Sequence, residues 1–312
     1  MRLSLVLAAV GLIAFSGTAR ADYAKSDLSR IVRVEPRPYT ETASSGAVVA
    51  RFRYSYNAKT TTFSKVTLEI TRDGVELLNA AVKRPPRNSY AQVWPANGPG
   101  KKSVFVRDLD GDGEPEVLLA LYWGGAHCCY FSYVYRYLDR SYRRVYHLWG
   151  DPSYALRDLN GDGNPEFVSA DDRFAYAFTS FADSAFPVQI WRYQAGRFSN
   201  VTRAFPALIR VDAARNWGLY GRALGQRRSV YGVLAAWSAD QCLLNRCGAA
   251  FRRLQALRKA GKLRGGPGDG TPQRYLRHLR GFLARTGYLH RRLLEGAATR
   301  APARAASRRA MG

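Results

Sequence analysis

Catalytic signatures are absent from this 312-residue chain: no GxSxG elbow, HExxH pair or P-loop occurs in it. Acidic residues are scarce in its last third, where Asp212, Asp240, Asp269 and Glu295 lie too far apart in sequence to suggest a catalytic carboxylate pair. His278 and His290 have no serine, cysteine or carboxylate beside them in a nucleophile pattern. Cysteine is rare, with four residues, so disulfides assist a core here rather than replace one. No apolar run after the N-terminus approaches the roughly 20 residues needed to cross a bilayer. These absences argue against the common hydrolase classes, a disulfide scaffold and a membrane-spanning protein.

What is present begins with an export signal. Arg2, the apolar stretch Leu3 to Phe15 and the small-residue site Ala19-Arg20-Ala21 read as a secretory signal peptide over residues 1–21, cleaved before Asp22. No cysteine stands in lipobox position. The expected compartment is extracellular or periplasmic, where abundant Ca²⁺ can fill weak sites. Charge is uneven as well as large. Of the 48 Lys and Arg, 23 fall from Arg203 onward, against 4 of the 24 acids, so most of the formal +24 belongs to the C-terminal third. Arginine dominates that excess, a bias that genome composition also produces.

Two acidic loops carry the most specific signal. DLDGDGEPE from Asp108 to Glu116 and DLNGDGNPE from Asp158 to Glu166 repeat one spacing 50 residues apart. Side-chain oxygens fall at loop positions one, three, five and nine: Asp108, Asp110, Asp112 and Glu116, then Asp158, Asn160, Asp162 and Glu166. Glu114 and Asn164, at position seven, would offer backbone carbonyls. Ca²⁺ takes six to eight oxygens, so its loop must close tightly, and the glycines at positions four and six permit the necessary backbone angles. An EF-hand would need a bidentate acid at position twelve and a helix on each side, whereas Leu119 and Ser169 stand there and short strand-like runs follow.

Strand, D-x-[DN]-G-D-G-x-P-E, strand resembles the FG-GAP repeat (VCBS-type, integrin α-like), over roughly residues 98–205. The resemblance implies a Ca²⁺ loop joining the first two strands of a propeller-blade-like sheet, with the ten named residues as the metal set.

The coarse organisation is bipartite: a mainly β N-terminal domain followed by an α-helical C-terminal domain. After a linker at 22–46, short alternating strands extend over 47–206, in units near 47–97, 98–150 and 151–206, with turns at Arg72-Asp73-Gly74 and Gln194-Ala195-Gly196. Two or three blades cannot close a full ring, so the expectation is an open β-domain with the first unit covering an edge, or association with another copy. Over 207–295 the apolar spacing turns helical, with stripes at Val230, Val233, Leu234, Trp237 and Leu244, and at Tyr275, Leu279, Phe282, Leu283, Leu289 and Leu293. Residues 296–312 read as a disordered basic tail.

Cys242 and Cys247 can bond if the chain bends between them, whereas adjacent Cys128 and Cys129 rarely bond to each other; connectivity stays open. The basic helical part, with Arg274, Arg277 and Arg280 among its clustered cations, could bind extracellular polyanions, glycans or cell-surface proteins, with any nucleic-acid binding nonspecific. A binding or adhesion module with Ca²⁺ as its cofactor is the expected function. A secreted hydrolase or lyase with the β-domain as accessory is the alternative.

Overall fold

A computed structural model describes residues 35–85, 92–125 and 127–289. The signal segment, His290, Leu293 and the 296–312 tail lie outside the described residues.

Three antiparallel sheets come first, and none closes on itself. The first is a meander of β1 (Arg37–Ser45), β2 (Val48–Asn57), β3 (Thr62–Arg72) and β4 (Val75–Ala81). Strict alternation buries Val48, Ala50, Phe52 and Tyr54 on one face of β2. Asp73 and Gly74 both take positive φ between paired Arg72 and Val75, the two-residue hairpin expected from the sequence. β1 lies within the stretch read as a linker. Its alternation is weaker than that of β2, and pairing with β2 supplies the order that composition alone did not suggest.

The second sheet contains β5 (Trp94–Pro95), β6 (Val104–Arg107), β7 (Glu116–Tyr122), β8 (Tyr130–Leu138) and β9 (Ser141–Gly150). β5 and β6 share one edge of β7, pairing with its two ends in turn. β7 is apolar almost throughout because both faces are covered. Val117, Leu119 and Leu121 join Phe131 and Tyr133 in a core with the first sheet, while Leu118 and Val134 face a core with the third. The first sheet therefore covers a face of the second, not an edge. The third sheet is a meander of β10 (Ala155–Arg157), β11 (Glu166–Ala170), β12 (Val188–Gln194) and β13 (Arg197–Asn200).

Four helices follow: α1 (Pro206–Gly225), α2 (Tyr231–Leu243), α3 (Cys247–Lys259) and α4 (Pro272–Arg285). Val233, Leu234 and Trp237 of the first sequence stripe fall on α2, with Val230 and Leu244 as its caps, and Tyr275, Leu279, Phe282 and Leu283 of the second fall on α4, with Leu289 beyond its end. α3 has a buried stripe of its own at Cys247, Ala250, Leu254 and Leu257, not among the sequence stripes, and the buried face of α1 includes the polar Asp212 and Asn216. Their core extends into the β11–β12 connection through Phe174 and Phe178. Buried Asp171 accepts from the Tyr288 hydroxyl at 2.9 Å, and Asp212 on α1 accepts from the Val188 N–H at 2.9 Å. The helices are thus built onto the third sheet. Cys242 bonds to Cys247 across the α2–α3 turn, and Cys128 bonds to Cys129, contrary to the usual behaviour of adjacent cysteines. No described helix is long and apolar enough to cross a membrane.

Candidate metal centre

Both acidic loops sit at the same place in their sheets, between the first long strand pair: β6 to β7 and β10 to β11. Four internal hydrogen bonds recur at the same positions in both loops. Asp108 accepts from the Gly111 and Gly113 N–H groups at 2.7 and 2.9 Å, and Asp158 accepts from Gly161 and Gly163 at 2.7 and 2.9 Å. Asp112 accepts from Glu114 N–H at 2.9 Å, and Asp162 from Asn164 at 2.8 Å. Glu116 and Glu166, each 1% exposed, begin the following strand and reach back to the Leu109 and Leu159 N–H groups at 2.9 and 3.0 Å. All four loop glycines have φ between +77° and +88°, which a side chain would strain.

Charge compensation separates the two. One step beyond the paired residues Val117 and Tyr135, and beyond Phe167 and Trp191, each glutamate meets an arginine on the neighbouring strand. In the second loop, Arg192 donates to Glu166 Oε1 at 2.6 Å through Nη2 and at 3.2 Å through Nε. In the first loop, Arg136 turns instead to Asp112, at 2.9 Å, and its nearest nitrogen stays 3.9 Å from Glu116. Glu116 Oε1 is consequently buried with no hydrogen-bond partner. Burial first, then the charges of Asp110, Asp112 and Asp108, push this carboxyl up to about 8.

Two more oxygens near the first loop are buried and unpartnered: Asp110 Oδ1 and the Tyr193 hydroxyl from β12. Asp108, Asp110 and Asp112 each bring an oxygen within 4.8 Å of the others. Asp110 is anchored from the third sheet, its other oxygen accepting from Ala195 N–H at 2.7 Å. In the second loop the third position is Asn160, whose amide donates to Asp162 at 2.6 Å and helps hold that carboxyl below its usual range. The donor set of the first loop, hard carboxylate oxygens with unsatisfied members in a turn of flexible backbone, fits Ca²⁺. The second holds fewer charges, and its buried one is already neutralised.

The position-seven side chains leave their loops. Glu114 pairs with Arg72 of the first sheet, and Asn164 packs against Gly111, where an added Cβ would fall 2.7 Å from its amide. The two loops are therefore in contact. Sequence reasoning named the ten loop residues but missed Arg136, Arg192, Tyr193 and Ala195. A signal was present in the repeated aromatic-Arg-Tyr triplets Tyr135-Arg136-Tyr137 and Trp191-Arg192-Tyr193. A second cluster, Cys128, Cys129 and Asp172, has its sulfurs joined to each other. His278 lies against Phe178 and Phe282, and burial, with Arg285 and Arg274, lowers its pKa.

No model of a known protein family matches the chain, and neither does any solved structure. A cyanobacterial protein from Synechocystis sp., described as a probable thylakoid lumen protein, is 37% identical over 146 residues. The match covers 45% of this chain and 43% of that relative.

Proposed function

We propose that this protein is an exported, Ca²⁺-binding module of FG-GAP or VCBS type that serves binding or adhesion. The observation that carries the reading is the trio of buried, unpartnered oxygens on Glu116, Asp110 and Tyr193 around the first acidic loop. Burying such groups without partners costs about 1–3 kcal/mol each, a cost that a bound cation would offset. Asp108, Asp110, Asp112 and Glu116 would supply side-chain ligands, and Glu114 its backbone carbonyl. Bound there, Ca²⁺ supplies a positive charge that fixes the β6–β7 turn, and no bond-making step follows from it. Asp158, Asn160, Asp162, Asn164 and Glu166 would form a second, weaker site, because Arg192 already occupies the charge of Glu166.

Export fits the relative's description as a lumen protein together with the signal-like N-terminus. The three antiparallel units, of four, five and four strands and each sharing a core with the next, suit an open FG-GAP-like array. The basic helical region is the part we assign to polyanionic or cell-surface partners. Calorimetry with Ca²⁺ and Mg²⁺ on the signal-free chain tests the metal reading. Ca²⁺ should bind at a tight site and a weaker one, and Mg²⁺ more weakly at both, since it demands a strict octahedron. Absence of saturable Ca²⁺ binding at millimolar concentration would overturn the proposal.

A further inference from the structure

The helices α3 and α4 contain eight Arg and Lys in their 27 residues and no acid. None of those eight joins an ion pair among the described residues, although nine arginines elsewhere in them do. Between the two helices runs an open groove of about 860 Å³. Its walls are two rails of similar chemistry. Arg252, Gln255 and Lys259 follow one another at helical spacing on α3, and Gln273, Arg277 and Arg280 do so on α4. Each rail covers seven residues of rise, roughly 10 Å. The floor is apolar, formed by Phe251 and Leu276, and Arg280 lies over the Phe251 ring with its guanidinium carbon 5.4 Å from the centroid. Arg258 donates to Gln255 Oε1 at 2.9 Å, which leaves the Gln255 amide hydrogens free to donate to a ligand.

We propose that this groove binds a linear acidic polysaccharide, two or three sugar units at a time. Uncompensated cations on both walls call for a ligand with regularly spaced anionic groups. The apolar floor suits the C–H face of a sugar ring, and the two glutamines suit its hydroxyls. A bilayer is flat and does not enter a trough between helices. Arg274, grouped with Arg277 and Arg280 by sequence alone, lines a separate pocket with His278 and is not part of the site. The inference rests on the assignment of partner binding to the helical region.

The test is titration of the full signal-free chain with a size-defined heparin hexasaccharide, in chelator and in Ca²⁺. Replacing Arg252, Arg277 and Arg280 by alanine should weaken binding at least about 10-fold, whereas replacing Arg210, Arg222 and Arg227, which removes equal charge elsewhere, should weaken it less than about 2-fold. All six side chains are exposed, so folding should survive, and matching thermal midpoints would verify that. Gln255→Ala with Gln273→Ala should weaken the oligosaccharide but leave inorganic polyphosphate unaffected. Equal losses in the two triple variants would overturn the groove while leaving a diffuse basic surface. Tighter binding of single-stranded DNA or anionic vesicles, with the same loss in the groove variant, would overturn the saccharide. No binding of any polyanion would overturn the helical-region reading itself, independently of the Ca²⁺ calorimetry.

Discussion

The two acidic loops share four backbone-to-carboxylate hydrogen bonds, the same glycine conformations and the same buried glutamate, yet they solve the problem of that glutamate differently. Glu166 is neutralised from within the protein by Arg192. Glu116 has an arginine at the equivalent cross-strand position, but Arg136 is drawn to Asp112. The difference traces to few residues: the extra carboxylate, Asp110 in place of Asn160, raises the negative charge of the first loop, and Asn160 satisfies Asp162 directly. Loop geometry therefore follows the repeated motif, while the pairing of the buried glutamate turns on loop position three, since both neighbouring strands carry an arginine at the equivalent place.

The sharpest way to break this comparison is to remove the internal cation. Arg192→Met should leave Glu166 buried and unpaired, costing about 2–3 kcal/mol in chelator after allowance for the partial exposure of Arg192. Added Ca²⁺ should recover much of that loss. Arg136→Met should cost less than about 1 kcal/mol, since burial keeps Glu116 largely neutral at pH 7 without a cation, and the lost Asp112 contact is near the surface. Denaturant titrations of both variants, with and without Ca²⁺, measure the contrast. Equal costs would mean that the arginines play the same part in both loops.

The reverse operation removes ligands. Asp110→Ala with Asp112→Ala should weaken the tighter Ca²⁺ site about 100-fold, equivalent to roughly 2.7 kcal/mol, whereas Asn160→Ala with Asp162→Ala should leave that site within a few-fold of its original affinity. Calorimetry separates the two. If the second pair abolished the tight site, the ranking of the loops would be inverted.

Acid distinguishes the loops from the interface beneath them. His147 on β9 packs among Trp149, Trp191 and Phe198 between the second and third sheets, and burial lowers its pKa to about 4. The unfolded chain therefore binds a proton more readily between about pH 6.5 and pH 4. Stability from the neutral imidazole is complete above 6.5 and is lost as pH falls through that window, by roughly 3 kcal/mol. His147→Phe should flatten this part of the pH–stability curve while the stabilisation by Ca²⁺ at pH 7 stays intact. A slope unchanged by the substitution would place the acid sensitivity in the loop carboxylates instead.

Much of this was legible in the chain. Strand alternation in β2, the hairpin turn at Asp73 and Gly74, and the two acidic Gly-rich turns between strands all follow from local rules. What escaped is non-local. β1 needed its partner strand, the α3 and α4 rails needed the angle at which two helices meet, and the Glu166–Arg192 pair joins residues 26 apart through sheet register. The apolar character of β7 was visible, but its cause, a sheet covered on both faces, was not.

The smallest contrast lies in two glycines with nearly the same conformation. Gly111 and Gly161, at loop position four, have φ of +79° and +77°. Alanine at either should pay for a left-handed backbone, about 1–2 kcal/mol. At Gly161 nothing lies within 4 Å of the added Cβ, so that strain is the whole cost. At Gly111 the Cβ would meet the Asn164 amide at 2.7 Å, so Gly111→Ala should cost up to about 1 kcal/mol more. Truncating the obstacle isolates the extra: in a double-mutant cycle Asn164→Ala should recover the difference between the two glycine variants and no more. A coupling energy of zero between positions 111 and 164 would mean that Asn164 swings clear at no cost, and that the two loops touch without constraining one another.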